Sequence, residues 1–496
     1  MPTSDDVIRQ TPCGPLRGRR HDGVTAFLRV PYAAPPTGDR RFAPPAPAPA
    51  WSGERDATRP GPIPPQLTSR LSRVMGDPPM PQDEDCLHLD IWVPDGVGPS
   101  HPAPVLAFIH GGAFMTGGGS LPMYRGHELA RRTGLVVVNI SYRLGLLGFL
   151  PIPGLASANL GLQDQIAALR WIGNGIASLG GDPDAITLAG QSAGGYTIAA
   201  LMACPATQAL FHRAVVMSAP LGLALPTPQD STALLAALYR TLELSPGDTD
   251  ALRRLPIDTL LQAQGRLARD WASTPANVSP PFVPVADGEW IRGEPLAALL
   301  DGSAASCPAI FGYTREEMAA FYAGDARLAE TANGIVQERF AQRYAANAPA
   351  KLALARARRS PGNALAILGD LGTQALFAEP AIAASQARQA RGHDTYLYRF
   401  DWQSPLPGYG ACHCIDLPFL FGNLDDWRES PMVNTADRAE VAGLSQVFQD
   451  FIAAFARTGK PAAPALPAWP ACDHGALLSF DRLLTLGQLP AAAVSR

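Results

Sequence analysis

Hydrophobic residues in this chain recur with two different periods. Leu87, Leu89, Ile91 and Val93 alternate with His88, Asp90 and Trp92, the period-two spacing of a half-buried strand, which Pro94 ends. Val105–Ile109 and Leu135–Ile140 are instead unbroken apolar runs and read as central strands covered on both faces. Leu162, Ile166, Leu169 and Ile176 then recur at helical spacing within residues 160–178, and a short apolar strand ending at Ala189 follows. Strand, loop, strand, helix, strand is the order of a doubly wound α/β sheet.

Further along, Arg213–Met217, Pro308–Gly312 and Thr395–Phe400 read as the next sheet strands. The Pro/Leu/Ala-rich region from Pro220 to Leu267 and the alanine- and arginine-rich residues 319–391 read as helical excursions that cover a site. The proline-rich stretches at 31–50 and 461–470 mark wrapped surface segments, not linkers. With no internal repeat, the expectation is one catalytic domain over residues 1–496, with helical insertions around 220–280 and 319–391.

Composition narrows the function classes. Apolar residues at 47% and charged residues at 17% describe a globular chain, and 40 basic against 44 acidic side chains argue against a general nucleic-acid surface. The densest basic run, Lys351 through Arg359, reads as an exposed helix face. No stretch approaches the roughly 20 apolar residues that span a bilayer, and no apolar run follows the polar start Met1–Asp6. The expectation is a cytoplasmic protein with neither membrane nor nucleic-acid partners; its oligomeric state is left open. Seven cysteines are too sparse for a disulfide framework and odd in number, so reduced thiols are expected. Cys412 and Cys414 flank His413, but no further ligands lie nearby to complete a zinc site. Neither metal nor organic cofactor is expected.

The chemistry concentrates at Gly190-Gln191-Ser192-Ala193-Gly194. A serine between two glycines directly after a strand fits a nucleophile elbow, in which the chain turns sharply from strand into helix. Upstream, Val105–Ile109 runs straight into His110-Gly111-Gly112. Small residues there let backbone N–H groups converge, and the expected oxyanion donors are Gly111, Gly112 and Ala193. Ser192 needs a base. The chain order nucleophile, acid, histidine selects His413, with the acid in Tyr313-Thr314-Arg315-Glu316-Glu317, where either glutamate serves equally well.

Motifs along nearly the whole chain resemble the type-B carboxylesterases, the α/β-hydrolase family that includes cholinesterases and bacterial p-nitrobenzyl-type esterases. The resemblance is carried by Phe27–Ala33, Arg41-Phe42, Trp51-Ser52-Gly53, Glu84–Ile91, Asn139–Arg143, Asn159–Gln165, Gly181-Asp182-Pro183, Gly190–Gly195, Phe282–Gly288 and Ala456–Pro461, in the family's order. It implies an α/β-hydrolase fold and hydrolysis of small to medium uncharged carboxylic esters through an acyl-enzyme. It also implies Ser192 as nucleophile, Glu317 rather than Glu316 as acid, His413 as base, Gly111, Gly112 and Ala193 as oxyanion donors, and a supporting Ser218. Internal ion pairs are implied for Arg41 with Glu84 and Arg143 with Asp164.

Three positions depart from the family pattern. Gln191 stands where a glutamate usually precedes the nucleophile, which removes a negative charge near the base and leaves the His413 imidazolium less favoured. Choline esters are therefore poor candidates. Pro64 stands where a cysteine usually bridges to Cys86, and Ile452 replaces a tryptophan. For the pocket walls, Phe114, Trp271, Phe282, Trp402 and Phe419 are candidates, and Gly117-Gly118-Gly119 is either a mobile loop or a tight turn. The alternatives are an amide, carbamate or lactone hydrolase on the same triad, acyl transfer to an alcohol, or a non-catalytic interaction protein on this scaffold. Retention of Ser192, Glu317 and His413 argues against the last.

Overall fold

The apolar runs form strands, and the strands form one sheet. The computed structural model describes residues 5–272, 278–322, 324–462, 467–472 and 475–489. In chain order the strands are β1 (Asp6–Thr11), β2 (Gly14–His21), β3 (Val24–Pro31), β4 (Arg55–Asp56), β5 (His88–Pro94), β6 (Ala103–Ile109), β7 (Val136–Ile140), β8 (Gly181–Gln191), β9 (Arg213–Met217), β10 (Ala309–Thr314), β11 (Thr395–Phe400), β12 (Ala476–Phe480) and β13 (Thr485–Gln488). Their order across the sheet is β1-β2-β3-β5-β7-β6-β8-β9-β10-β11-β12-β13, with β4 beside β2. From β7 to β12 every neighbouring pair is parallel. Outside that block β1 to β2, β2 to β3, β3 to β5, β5 to β7 and β12 to β13 are antiparallel, while the short β4 runs parallel to β2.

Successive side chains of a strand point to opposite faces, and both faces of this sheet are buried. In β6, Val105, Ala107 and Ile109 join one core, while Leu106 and Phe108 join the other. Helices Leu160–Gly175 and Ala193–Ala203 contribute Ile166, Leu169, Ile198 and Leu201 to the first core. Helix Arg438–Thr458 contributes Val441, Phe448 and Phe455 to the second. The structure corrects the expectation for β5. Its alternation reads as half-buried, yet all seven residues are buried, because Leu89, Ile91 and Val93 face one core and Trp92 the other.

Helices fill both regions read as excursions: Pro228–Thr241, Thr249–Arg254 and Ile257–Trp271 in the first, and five segments from Ala319–Tyr322 to Glu379–Ala390 in the second. The basic run lies on helix Ala348–Arg358, where Lys351, Arg356 and Arg358 are exposed. Among the described residues no helix is long and apolar enough to cross a membrane.

Two internal ion pairs fasten loops to this frame. Arg41 pairs with Glu84 (Nε–Oε1 2.6 Å) and donates to the carbonyls of Arg253 and Leu255. Arg143 grips buried Asp164 through Nη2–Oδ1 (2.6 Å) and Nε–Oδ2 (2.8 Å), and its Nη1 reaches the Ala43 carbonyl. Removing one partner strands a buried charge. Asp164→Ala should therefore lose about 3–5 kcal/mol of stability in urea unfolding. A loss below about 1 kcal/mol would show that the pair is not holding these loops.

Candidate active site

Strands β6, β8, β9 and β10 end at one edge of the sheet, with Ile109 paired to Gly190, Gln191 to Met217 and Met217 to Gly312. In parallel α/β sheets this carboxyl edge is where ligands bind. At the end of β8 the chain turns directly into helix Ala193–Ala203 through Ser192, whose backbone sits at φ 58°, ψ −121°. That sharp turn presses the helix start onto β6. A Cβ at Gly194 would stand 2.0 Å from the Ile109 carbonyl oxygen, so only glycine fits. The Ser192 N–H is bonded to the Met217 carbonyl (2.9 Å), which fixes the turn from the other side.

The loop after β6 lies against this turn. A Cβ at Gly111 would stand 3.0 Å from Ser192 Cβ. Gly112 has φ +104°, and a Cβ there would meet the Thr116 carbonyl at 2.0 Å. Among the described residues, the N–H groups of Gly111, Gly112 and Ala193 donate to no protein acceptor. His110, which opens the loop, is tied to it by Nδ1 donating to the Gly111 carbonyl (2.8 Å), and burial pushes its pKa down to about 4.

His413 is fully buried and donates from Nδ1 to Glu317 Oε2 at 2.5 Å. The other carboxylate oxygen of Glu317 accepts from the Thr314 N–H (2.8 Å). Glu317 is thus held at the end of β10 with both oxygens occupied. Glu316, one residue earlier, points away from the ring. It accepts from the Ala411 N–H (2.7 Å) and from Arg359 Nη2 (2.5 Å), and its own N–H donates to the Ala411 carbonyl. Glu316 therefore staples the strand end that carries Glu317 to the loop that carries His413, and Arg359 at the tail of the basic run closes the staple.

Gln191 Nε2 lies 3.2 Å from His413 Nε2, and its Oε1 accepts from the Cys414 thiol at 3.6 Å. Burial opposes a charged His413 ring, but the Cys414 sulfur and the Glu317 carboxylate, both in hydrogen-bonding contact with the ring, favour one and hold the His413 pKa well above the ordinary histidine value. Asp416, also buried, receives Tyr398 Oη–H (2.9 Å), and burial beside the Glu317 charge raises its pKa to about 7. Ser218 is buried next to the site with φ 46°, and its Oγ has no hydrogen-bond partner among the described residues.

The aromatic expectations fare unevenly. Phe114 is buried edge-on to Phe149 and Tyr196, the latter four residues after Ser192, and Phe282 is buried in the first core. Trp402 and Phe419 pack on each other in the second core, with Trp402 Nε1 bonded to Glu440. Trp271 ends its helix largely exposed. The rings in contact with His413 are Phe321 and Phe377, each with its centroid 5.2 Å away. Sequence reading misses both, because they lie in helical segments with no motif; Phe377 sits in a π-helical turn, Gln374–Ala378, a local irregularity common at functional sites. Gly117 and Gly119 pack closely on His110 and on the backbone at Ile140, which makes that stretch a tight turn.

Comparison with known proteins gives a consistent assignment. The carboxylesterase family model matches residues 5–487. A phenmedipham hydrolase from Pseudarthrobacter oxydans is 39% identical over 92% of this chain and 90% of its own, and the para-nitrobenzyl esterase of Bacillus subtilis is 36% identical over the same shares. Among solved structures, a thermophilic PNB esterase superposes with a TM-score of 0.83 at 33% identity, covering 98% of both chains. A Geobacillus stearothermophilus carboxylesterase does so with a TM-score of 0.84 at 32% identity, covering 97% of this chain and 98% of its own. The chain belongs to the carboxylesterase family: it is a carboxylic-ester hydrolase of the α/β-hydrolase fold.

Proposed function

We propose that Ser192 is the nucleophile, His413 the general base and Glu317 the acid that orients it, in hydrolysis of small to medium uncharged esters. The buried contact between His413 and Glu317, beside the turn that displays Ser192, carries this reading. Ser192 Oγ would attack the ester carbonyl as His413 Nε2 takes its proton. The N–H groups of Gly111, Gly112 and Ala193 would receive the carbonyl oxygen as it becomes negative, a role their lack of protein acceptors supports. His413 would then protonate the departing alcohol and later activate the water that frees Ser192. Glu316 acts at one remove, as the staple between the two loops.

Phe321 and Phe377 flank the ring that must protonate the leaving alcohol, and we infer an apolar, flat alcohol portion there. With Gln191 in place of an acid, no carboxylate at that position draws a cationic alcohol. The same apparatus would serve a carbamate, amide or lactone. The name of the phenmedipham hydrolase makes phenmedipham one compound to set beside simple esters. We take residues 1–496 as a single catalytic domain, with the helical insertions around 220–280 and 319–391 covering the site. We take the setting as reducing and cytoplasmic, since Pro64 stands where a cysteine would usually bridge to Cys86.

Three measurements check this reading. Stopped-flow hydrolysis of p-nitrophenyl esters should show a burst equal to the enzyme concentration, abolished in Ser192→Ala; a burst that persists in the variant refutes Ser192 as nucleophile. Glu317→Gln should lower kcat/KM by about three orders of magnitude. It should also move the acid limb to lower pH, since the base loses the charge that raises its pKa. Glu316→Gln should cost less than about tenfold, and a larger loss at 316 than at 317 reverses the assignment. Phe377→Ala should lower kcat/KM for benzyl acetate by about tenfold while sparing methyl acetate, consistent with roughly 1–3 kcal/mol for a lost apolar contact. Equal losses on both would remove Phe377 from the alcohol site.

A further inference from the structure

The glycine loop after β6 is tied down at both ends. At its start, His110 Nδ1 holds the Gly111 carbonyl, and the N–H and hydroxyl of Thr116 donate to the Gly112 carbonyl at 3.0 and 3.2 Å. At its far end, the Gly119 N–H donates to Ser141 Oγ and the Gly119 carbonyl accepts from Asn139 Nδ2, each at 3.0 Å. Gly117 lies between. It packs on the peptide that joins Gly111 to Gly112, since a Cβ there would stand 2.5 Å from His110 Nδ1 and 2.9 Å from the Gly111 carbonyl oxygen. That carbonyl and the Gly112 N–H belong to one rigid plane, so whatever steadies Gly117 also steadies the direction of the Gly112 N–H.

A single side chain serves both backbone polar groups of Gly117. Gln66 Oε1 accepts from the Gly117 N–H, and Gln66 Nε2 donates to the Gly117 carbonyl, both at 2.7 Å. Among the described residues, these two groups have no other protein partner. An amide offers an acceptor and a donor side by side, which neither a carboxylate nor an ammonium does. Gln66 is itself held. Its Nε2 also reaches the Pro64 carbonyl (2.9 Å), its backbone N–H donates to Gln82 Oε1 (2.8 Å), and Pro64 and Pro65 limit the chain just before it. Ile63 completes the seating, since a Cβ at Gly118 would lie 2.5 Å from its Cγ2.

We propose that Gln66 is a positioning residue for ester hydrolysis: by holding Gly117 against the Gly111–Gly112 peptide, it keeps the Gly112 N–H aimed at the oxygen that becomes negative. This rests on Gly112 being an oxyanion donor. The hydrogen bonds of Gln66 go to Gly117, Pro64 and Gln82 and not to Ser192, Glu317 or His413, so it acts through the loop and not on the reacting atoms. A donor matters most when the oxygen carries charge, in the transition state rather than in the bound ester. Acylation and deacylation both pass through such an oxygen. Loosening the donor should therefore slow both steps together and fall on kcat, leaving KM nearly unchanged.

Gln66→Met keeps the length of the side chain and removes both hydrogen bonds. With enzyme counted by fluorophosphonate titration of Ser192, its kcat for p-nitrophenyl butyrate should fall about tenfold, with KM within about twofold of the parent. Two inhibitors, hexyl methyl ketone and hexyl trifluoromethyl ketone, then separate ground state from transition state. The second adds Ser192 Oγ to its carbonyl carbon and leaves a negative oxygen for the loop to hold. Gln66→Met should weaken the trifluoromethyl ketone about tenfold and the methyl ketone less than about twofold. Should the methionine variant fail to fold, Gln66→Glu preserves the acceptor for the Gly117 N–H but not the donor, and it should show the same pattern. An unchanged kcat, a loss confined to KM, or equal weakening of both ketones overturns the proposal. A parent enzyme that binds both ketones equally removes the oxyanion reading itself. A parent that prefers the trifluoromethyl ketone, with the same preference in the variant, removes Gln66 alone, so the two failures are separable.

Discussion

The approach of helix Ala193–Ala203 to the end of β6 is the constraint on which the site depends. Gly194 lies so close to the Ile109 carbonyl that no side chain fits between them, and this contact forces the tight turn at Ser192. The same contact brings the Gly111-Gly112 loop alongside, since that loop is the direct continuation of β6. One backbone approach therefore sets a hydroxyl and a group of unengaged N–H donors side by side, with the cost of the strained Ser192 backbone carried by the surrounding parallel sheet.

The histidine side is built differently, from loops instead of strand register. The turn after β10 carries two adjacent glutamates whose side chains diverge, Glu317 toward His413 and Glu316 toward Ala411 and Arg359. Two carboxylates thus divide the work of contacting the ring and of holding the loop that carries it. The ring's environment is a balance. Burial opposes its charge, and the neighbouring Cys414 sulfur and Glu317 carboxylate favour it. An enzyme with a histidine base needs both sides of that balance, because the ring must be neutral before attack and charged during it.

The elbow and the glycine loop were legible in the sequence because their chemistry demands fixed residue types at short spacing after recognisable strands. The parallel strands were legible for a similar reason, as unbroken apolar runs buried on both faces. Glu317 was not separable from Glu316 by local reasoning, since both lie in the turn after β10 and which one meets His413 depends on the distant 411–413 loop. The family resemblance named Glu317; the geometry explains what Glu316 does. Phe321 and Phe377 were invisible because their contact with His413 arises from how two helical segments pack, not from any spacing. The sequence did present Cys414, but as part of a metal motif, and its contacts with Gln191 and His413 emerge from the structure alone. β5 misled by its alternation, because the polar residues Asp90 and His88 are buried through hydrogen bonds to the Arg29 N–H and the Pro62 carbonyl.

The central claim is that ester cleavage passes through a covalent acyl group on Ser192. Acid-quenching the enzyme during steady-state turnover of a slowly deacylating p-nitrophenyl ester, followed by peptide mass mapping, tests it directly. The account predicts an acyl mass on the peptide containing Gly190–Gly195, localised to Ser192. Turnover with no adduct there, or with the acyl group on another residue, would contradict it.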